Sequence, residues 1–519
     1  MKRLLSLLLV LITVVTVFAG CQGPAATKGP GKTQQQQTGK KDVDVWGRPW
    51  VDSVIPDELD FGGQKVNILL AIGSHSYRDY YAEAYNDDII NDSVFDRNVK
   101  VETDLGVKLN WVLGSENSAI ELPSEIATIV EAGTNDYDIA AGYGNYMPVG
   151  VTEGTYTNLY DVPYLKDSLE QGKPWWNKTY IDEASLNGYM YTITGDISLS
   201  STYLIGCMFF NKRLANERYA SIGGAEAIYK LVLDGKWTID KFTELVKTMY
   251  EDLDTDGLPS MGDFYGYGTW MSGPMPANAF QYAMNAPISR KNAEGIPELV
   301  FDSQQTINMI NKLHILTTDC EGVLFDTKYY NDHVARAQMI QKFINGTMIF
   351  VTETLQEANN FRNMKDDYGL LPMPMLDEAQ FENGGYMTTN SDAFSTLVIP
   401  YGILEADRGE LAGATLEKLC EESYRTVNPN YFEVVMKYRY LRSDDDEDYD
   451  LKMYDIILES MTYNFGMIYN ELLDHPGFIL RWLIGRDAST DFASAWNGQK
   501  KRVQARFKGL VNFFLEDAV

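Results

Sequence analysis

Residues Tyr189–Leu214 read YMYTITGDISLSSTYLIGCMFFNKRL, and their pattern decides the architecture. Two runs rich in aromatic and β-branched residues, Tyr189–Ile193 and Thr202–Phe210, flank a polar break at Thr194, Gly195 and Asp196, and a helical pattern opens at Asn211. A strand interrupted at this point predicts a crossing between two lobes, with the break as its hinge.

Working outward, Lys65–Ala71, Val107–Leu113 and Tyr137–Tyr143 read as strands, separated by helical stretches at Ile89–Leu105 and Ala119–Ala132, with Gly133 placed to cap the second. That βαβαβ alternation implies a parallel sheet, whose ligands bind beyond the carboxyl ends of the strands. Past the crossing, Ile239, Phe242, Leu245, Val246 and Met249 form one apolar helical stripe that is read as packing. Ala337–Ile344 is helical, Thr347–Val351 and Phe394–Pro400 are strands, and the chain from Thr415 onward is mainly helix. Of the adjacent Trp175 and Trp176, one is expected in the core, because neighbours along an extended chain face opposite ways.

The composition sets limits. A chain of 519 residues with 45% hydrophobic content can bury two or three cores, and a net charge of −29 argues against nucleic acid as a partner, which requires a basic face. Cys207, Cys320 and Cys420 show no CxxC spacing and are read as buried thiols. No GxSxG or HExxH motif supports hydrolase chemistry.

The amino terminus reads as an address. Lys2 and Arg3 precede an apolar run, Leu4–Phe18, too short to span a bilayer comfortably, and Ala19-Gly20-Cys21 follows as a cleavage site. Residues 22–41 are Gly, Pro, Thr, Lys and Gln, including Gln34–Gln37, with almost nothing to bury, which predicts a flexible tether.

Several segments resemble one family. FFNKRL at Phe209–Leu214, NDSVFDRN at Asn91–Asn98, the strand ending at Thr352-Glu353-Thr354 and YGLLPMPM at Tyr368–Met375 are similar, in that order, to extracellular solute-binding proteins of ABC importers, the family that includes maltose-binding protein. The resemblance implies an α/β, two-lobed fold of the periplasmic-binding-protein type II, lobes joined by hinge crossings, and a ligand cleft between them that closes on solute. It implies a signal peptide at 1–20, a lipid-anchored tether at 21–60 held through Cys21 to the outer face of the cell membrane, a first lobe of 61–193 plus 354–390, and a second of 194–353 plus 391–519. Further crossings are expected after Thr347–Val351 and near Tyr386–Ser391. The partners implied are a permease and a small solute, and no catalysis is expected.

Segment position points to Tyr143, Asn145, Tyr146, Asp196, Trp270 and Glu353 as cleft residues, with Asn91 and Asp92 behind them. Flat aromatic faces suit the C–H surface of a sugar, and amides and carboxylates its hydroxyls, so an oligosaccharide is the expected ligand and a peptide the alternative. Asp252, Asp254, Asp256, Leu258, Ser260 and Asp263 fit positions 1, 3, 5, 7, 9 and 12 of a calcium loop with Gly257 at its sharp turn, which predicts a structural calcium ion. Two rival readings stand beside transport: an anchored carbohydrate-active enzyme, and a surface adhesin or sensor subunit of the same fold.

Overall fold

The computed structural model describes residues 43–72, 75–270, 274–329, 332–441 and 448–517. The apolar run Leu4–Phe18, Cys21, Gln34–Gln37 and residues 442–447 lie outside these. The described residues fall into two units, 43–50 and 51–517. In the first, Val43 bridges Pro49, and the Asp44 carboxylate accepts from the Arg48 guanidinium at 2.8 Å. In the second, Ile55 is buried in the first lobe's core, and Ser53 donates to Glu421. The tether expected to reach residue 60 therefore ends earlier, because Val51, Val54 and Ile55 find apolar partners.

The first lobe follows the expected alternation: β1 (Gln64–Leu70), α1 (Ile89–Leu105), β2 (Val107–Leu113), α2 (Ser118–Ala132) and β3 (Ile139–Tyr143). β1 lies between β2 and β3 and runs parallel to both. The Asp88 carboxylate caps α1 by accepting from the amides of Ile90 and Asn91, and Gly106 ends it in the left-handed region, where a Cβ would strike Asp60.

At the crossing, Ile193 still pairs with Leu397 of the first lobe, whereas β4 (Gly206–Asn211) is buried throughout in the second lobe's sheet. The second run begins later than its sequence suggests. Ser200–Tyr203 forms a helical turn, started by the Asp79 carboxylate accepting from Ser200 N at 2.7 Å.

The second lobe adds β5 (Tyr250–Glu251), β6 (Phe264–Gly268), the hairpin β7 (Ser289–Lys291) and β8 (Pro297–Leu299), β9 (Val323–Leu324), β10 (Met348–Thr354) and β11 (Tyr368–Leu371). Its main sheet runs β11-β4-β10-β6-β5, with β9 also on β6. Phe210, Trp237, Phe242 and Phe350 meet in its core, Phe242 edge to face with both Trp237 and Phe350 and the other pairs tilted.

Two strands correct the expected lobe boundaries. β11 pairs antiparallel with β4, so the chain stays in the second lobe after Thr354, and no crossing follows β10. β12 (Ser395–Val398) pairs antiparallel with β3 and belongs to the first lobe. The return occurs where Ile205 bridges Asn390, Gly206 N donates to Thr389 O, and Ser391 N donates to Leu204 O, within the expected Tyr386–Ser391 segment.

The carboxyl-terminal third serves both lobes. Helix Gly409–Glu422 is buried against α1, and helix Tyr449–Glu459 lies against β11. Asp450 is buried and accepts from Lys212, Tyr229 and Leu370 N. Helix Phe492–Asn512 places Phe492, Trp496 and Val503 in the second core and Phe507, Leu510 and Val511 in the first.

Both tryptophans of the Trp175-Trp176 pair are buried, contrary to the alternation argument, because the chain turns there instead of extending. Trp175 donates to Glu417 Oε1 at 2.8 Å and Trp176 to Oε2 at 2.9 Å. Burial pushes the Glu417 carboxyl from 4.5 up to about 8, although the hydrogen bonds from Ser168 and the two indoles oppose the shift. The folded state therefore holds a proton that the unfolded chain releases, so this group's stability is fully present below its unfolded value of 4.5 and is lost as pH rises towards about 8. The melting temperature should fall across that window, and Glu417→Gln, which cannot ionise, should flatten the decline. Equal slopes in the two proteins would rule the assignment out.

Candidate functional site

The carboxyl ends of β1 and β3 in the first lobe and of β6 and β10 in the second deliver their loops to the space between the lobes. A cavity of about 720 Å³ lies there. Tyr77, Tyr81 and Asn91 reach it from the segment after β1 and from α1, Tyr203 from the crossing, Gln356 and Asn359 from the segment after β10, and Tyr431 from the carboxyl-terminal third. The Tyr203 and Tyr431 rings lie 6.3 Å apart, and Tyr81 rests 6.4 Å from Trp111.

This wall is tied to the crossing. Asp79, which lines the cavity, accepts from Ser200 N and from the Tyr203 hydroxyl at 3.1 Å, and Tyr80 shares a hydrogen bond of 2.6 Å with Ser198. Burial pushes the Asp79 carboxyl up to about 7 against the pull of these hydrogen bonds and of Arg97. Arg97 is itself buried and donates to Asp79 O, Tyr80 O and Ser423 Oγ, so the loop's backbone is held from α1.

A second, narrower cavity of about 30 Å³ lies where Asn145 of the first lobe meets Asn278 and Tyr282 of the second, Asn390 and Asp392 of the return crossing, and Tyr463. The Asn278 and Asn390 amide oxygens and the Tyr282 and Tyr463 hydroxyls are buried there without a protein partner. Asn145 donates to Glu471 Oε1 at 2.8 Å. Burial raises the Asp392 carboxyl to about 6, opposed by the nearby Arg481 and reinforced by Glu471.

The residues expected in the cleft divide accordingly. Asn91 lines the large cavity and Asn145 the narrow one. Tyr146 adjoins the latter, its hydroxyl raised by burial and by the charges of Glu471 and Asp392. Asp92 accepts from Asn86 N at 3.0 Å and shapes the loop. Tyr143 ends β3 opposite Ser395, and the backbone of Asp196 bonds Trp175 O and the Asn428 amide, so both fix framework.

Trp270 and Glu353 do come together, on Arg336. That guanidinium donates through Nε to Glu353 Oε1 at 2.9 Å, reaches Glu357 at 3.0 Å, and lies 5.3 Å from the Trp270 ring centre. Burial lifts the Glu353 carboxyl to about 7, with Arg336 opposing the shift. Arg336 holds both oxygens of the Glu353 carboxylate, the Trp270 indole N–H is buried without a partner, and neither residue lines the two cavities described. The tyrosines of the large cavity were missed, although YRDYYAEAY at Tyr77–Tyr85 follows the first strand and so sits where a parallel sheet places ligand loops.

The acidic loop joins β5 to β6. Asp252, Asp254 and Asp256 each bring a carboxylate oxygen within 4.8 Å of the others. Asp252 accepts from Thr255 N and Gly257 N, and Gly257 takes the positive φ of 77° that the turn requires. Asp263 does not join them: its buried carboxylate is occupied by Leu253 N at 3.0 Å, Ser260 N at 2.7 Å and the Tyr250 hydroxyl. Ser260 Oγ turns back to Gly262 N, and the Leu258 side chain is exposed.

No protein-family profile and no curated protein sequence matches the chain. Solved structures do. The sugar-binding protein MalE from the phytopathogen Xanthomonas citri is 11% identical, with a TM-score of 0.56 over 88% of this chain and 100% of that one. The cyclic alpha-maltosyl-1,6-maltose binding protein from Arthrobacter globiformis is 14% identical, with 0.54 over 86% and 100%. The galacto-N-biose-/lacto-N-biose I-binding protein of the ABC transporter from Bifidobacterium longum is 12% identical, with 0.54 over 87% and 98%. At this identity the likeness is one of fold, and over most of its length the chain has the two-lobed α/β architecture of these type II binding proteins.

Proposed function

We propose that this chain is the extracellular binding component of an ABC importer and captures a carbohydrate between its lobes for delivery to a membrane permease. The observation that carries the reading is the cavity of about 720 Å³, walled by both lobes and the crossing with four tyrosine rings and four neutral amides, beside Arg78, Asp79, Glu83 and Asp88. Such a lining offers flat apolar faces for sugar C–H groups and hydrogen bonds for hydroxyls. The unpartnered amides and phenols of the narrow cavity add neutral groups of the same kind. A binding role is favoured over an enzymatic one because Glu353 is held by Arg336, and Asp79 by Ser200 and Tyr203.

Calorimetry with a panel of oligosaccharides and peptides tests this. Saturable binding of an oligosaccharide is expected, weakened about tenfold in Tyr81→Ala, the worth of roughly 1.4 kcal/mol from a lost aromatic contact. Binding confined to peptides would overturn the sugar reading.

The carboxylates of Asp252, Asp254 and Asp256 suit one calcium ion that stiffens the β5–β6 loop, since oxygen ligands at alternate positions around a tight glycine turn wrap a hard cation. Calcium should raise the melting temperature, chelator should reverse the rise, and Asp254→Asn should abolish it. An unchanged transition with and without calcium would remove the ion from the account.

Acylated at Cys21, the mature protein would hold to the outer membrane face through more than one chain, which a single chain achieves only marginally. Cys21→Ser should then appear in the medium and no longer support uptake of the bound sugar. Retention of that variant in the membrane fraction would count against the anchor.

A further inference from the structure

The helix Phe492–Asn512 is rooted in two cores at once. Its first half packs into the second lobe, where Phe301 meets the rings of Phe492 at 5.5 Å and Trp496 at 5.6 Å, and Lys500 pairs with Asp302. Its last half packs into the first lobe, where Phe507 lies 5.9 Å from Phe465. Phe514 follows, fully buried between Tyr191 and Tyr469, and its carbonyl accepts from the Asn187 amide at 3.1 Å.

The boundary between the halves is clipped. Arg502 Nε donates to Asp474 Oδ2 at 2.7 Å, and Asp474 and His475, both at positive φ, form the turn at which the preceding segment also passes from one core to the other, Leu473 lying in the first and Ile479 in the second.

An α-helix bends sharply only at identifiable defects, and this one has no proline. Its 21 residues span about 31 Å as one rod. If the lobes rotate apart about the crossings, a rod fixed at the boundary cannot stay seated in both cores. The arm that can yield is the shorter, terminal one. It contains Gly509, exposed and with nothing within 4 Å of the place of a Cβ, so packing does not demand the glycine, which weakens the helix there. Beyond it the regular helix gives way to the wider turns of Phe513–Asp517.

We propose that this helix is a strap whose first-lobe end, Phe507–Phe514, undocks when the lobes part, so that its docking sets the fraction of closed protein before any solute binds. Gly498 supplies the internal control, since it too is exposed in the same helix with open space around it, but lies in the arm that stays seated.

The test uses the full chain without solute, so its outcome is independent of the sugar reading. Small-angle scattering gives the radius of gyration, and hydrogen exchange gives the protection of each arm. Phe514→Ala should enlarge the radius and speed exchange across 507–514 while 492–503 stays protected. Gly509→Ala should shift the radius the opposite way and slow that exchange, whereas Gly498→Ala should raise the melting temperature and leave the radius unchanged. Equal protection of both arms, or a Phe514→Ala protein that only melts earlier with an unaltered radius, would overturn the proposal, as would matching effects of the two glycine variants on the radius.

Discussion

The pairing of Leu204–Gly206 with Thr389–Ser391 is the constraint on which the two-lobed arrangement depends. It is the place where the outgoing and returning chains share backbone hydrogen bonds, and each leads at once into a sheet: Gly206 opens β4, and Ser395 opens β12 beside β3. Because a strand's register fixes which side chains face which way, the short pairing also orients both neighbours of the cleft. Tyr203 on one flank lines the large cavity, and Asn390 on the other lines the narrow one. The crossing and the walls of the two cavities thus share the same few residues.

Local pattern made the first lobe legible, because β1, α1, β2, α2 and β3 alternate between periods of two and 3.6 with glycines at the helix ends. The crossing was expected at the polar break Thr194–Asp196, but that break stays in the first lobe, where Gly195 bridges Trp176 and Thr194 donates to Ser395 O, and the chain passes over later, at Leu204–Gly206. The return strands were not legible. YGLL in β11 and STLV in β12 are both fully buried short runs, and such a run carries no record of its partner. The partner is set by the path between them: β11 takes the free edge of β4, where Asp450 from a distant helix accepts from Leu370 N, and β12 is left to β3. The site divides in the same way. Asn145, expected from its place after β3, and Asn91, expected from the resemblance of the α1 segment, each line a cavity, whereas Gln356 and Tyr431 join the large cavity only through tertiary packing.

Trp270 and Glu353 show why residue type misleads. Both are of the kind a sugar site uses, and they do meet, but through Arg336, which satisfies the carboxylate and covers the ring. A half-buried cation within reach converts two candidate contacts into one structural unit. Nothing in the spacing of residues 270, 336 and 353 reveals it.

Three of the chain's buried carboxylates follow one logic. Asp79 joins the loop after β1 to the crossing, Glu417 joins two tryptophans to a helix 241 residues away in sequence, and Asp450 joins Lys212, Tyr229 and β11. Each gathers segments that the chain order keeps apart, through partners outside its own element. A buried ionisable group is weak as a source of net stability, since its desolvation offsets much of what its partners return, yet removing one partner leaves a buried polar group unsatisfied at a cost of about 1–3 kcal/mol, more where it is charged. That asymmetry penalises mispairing more than it rewards pairing. In a fold whose β11 and β12 could each satisfy either sheet by hydrophobicity alone, Asp450 supplies discrimination: it accepts from Leu370 N only when β11 stands beside β4, close to the Lys212 that follows that strand.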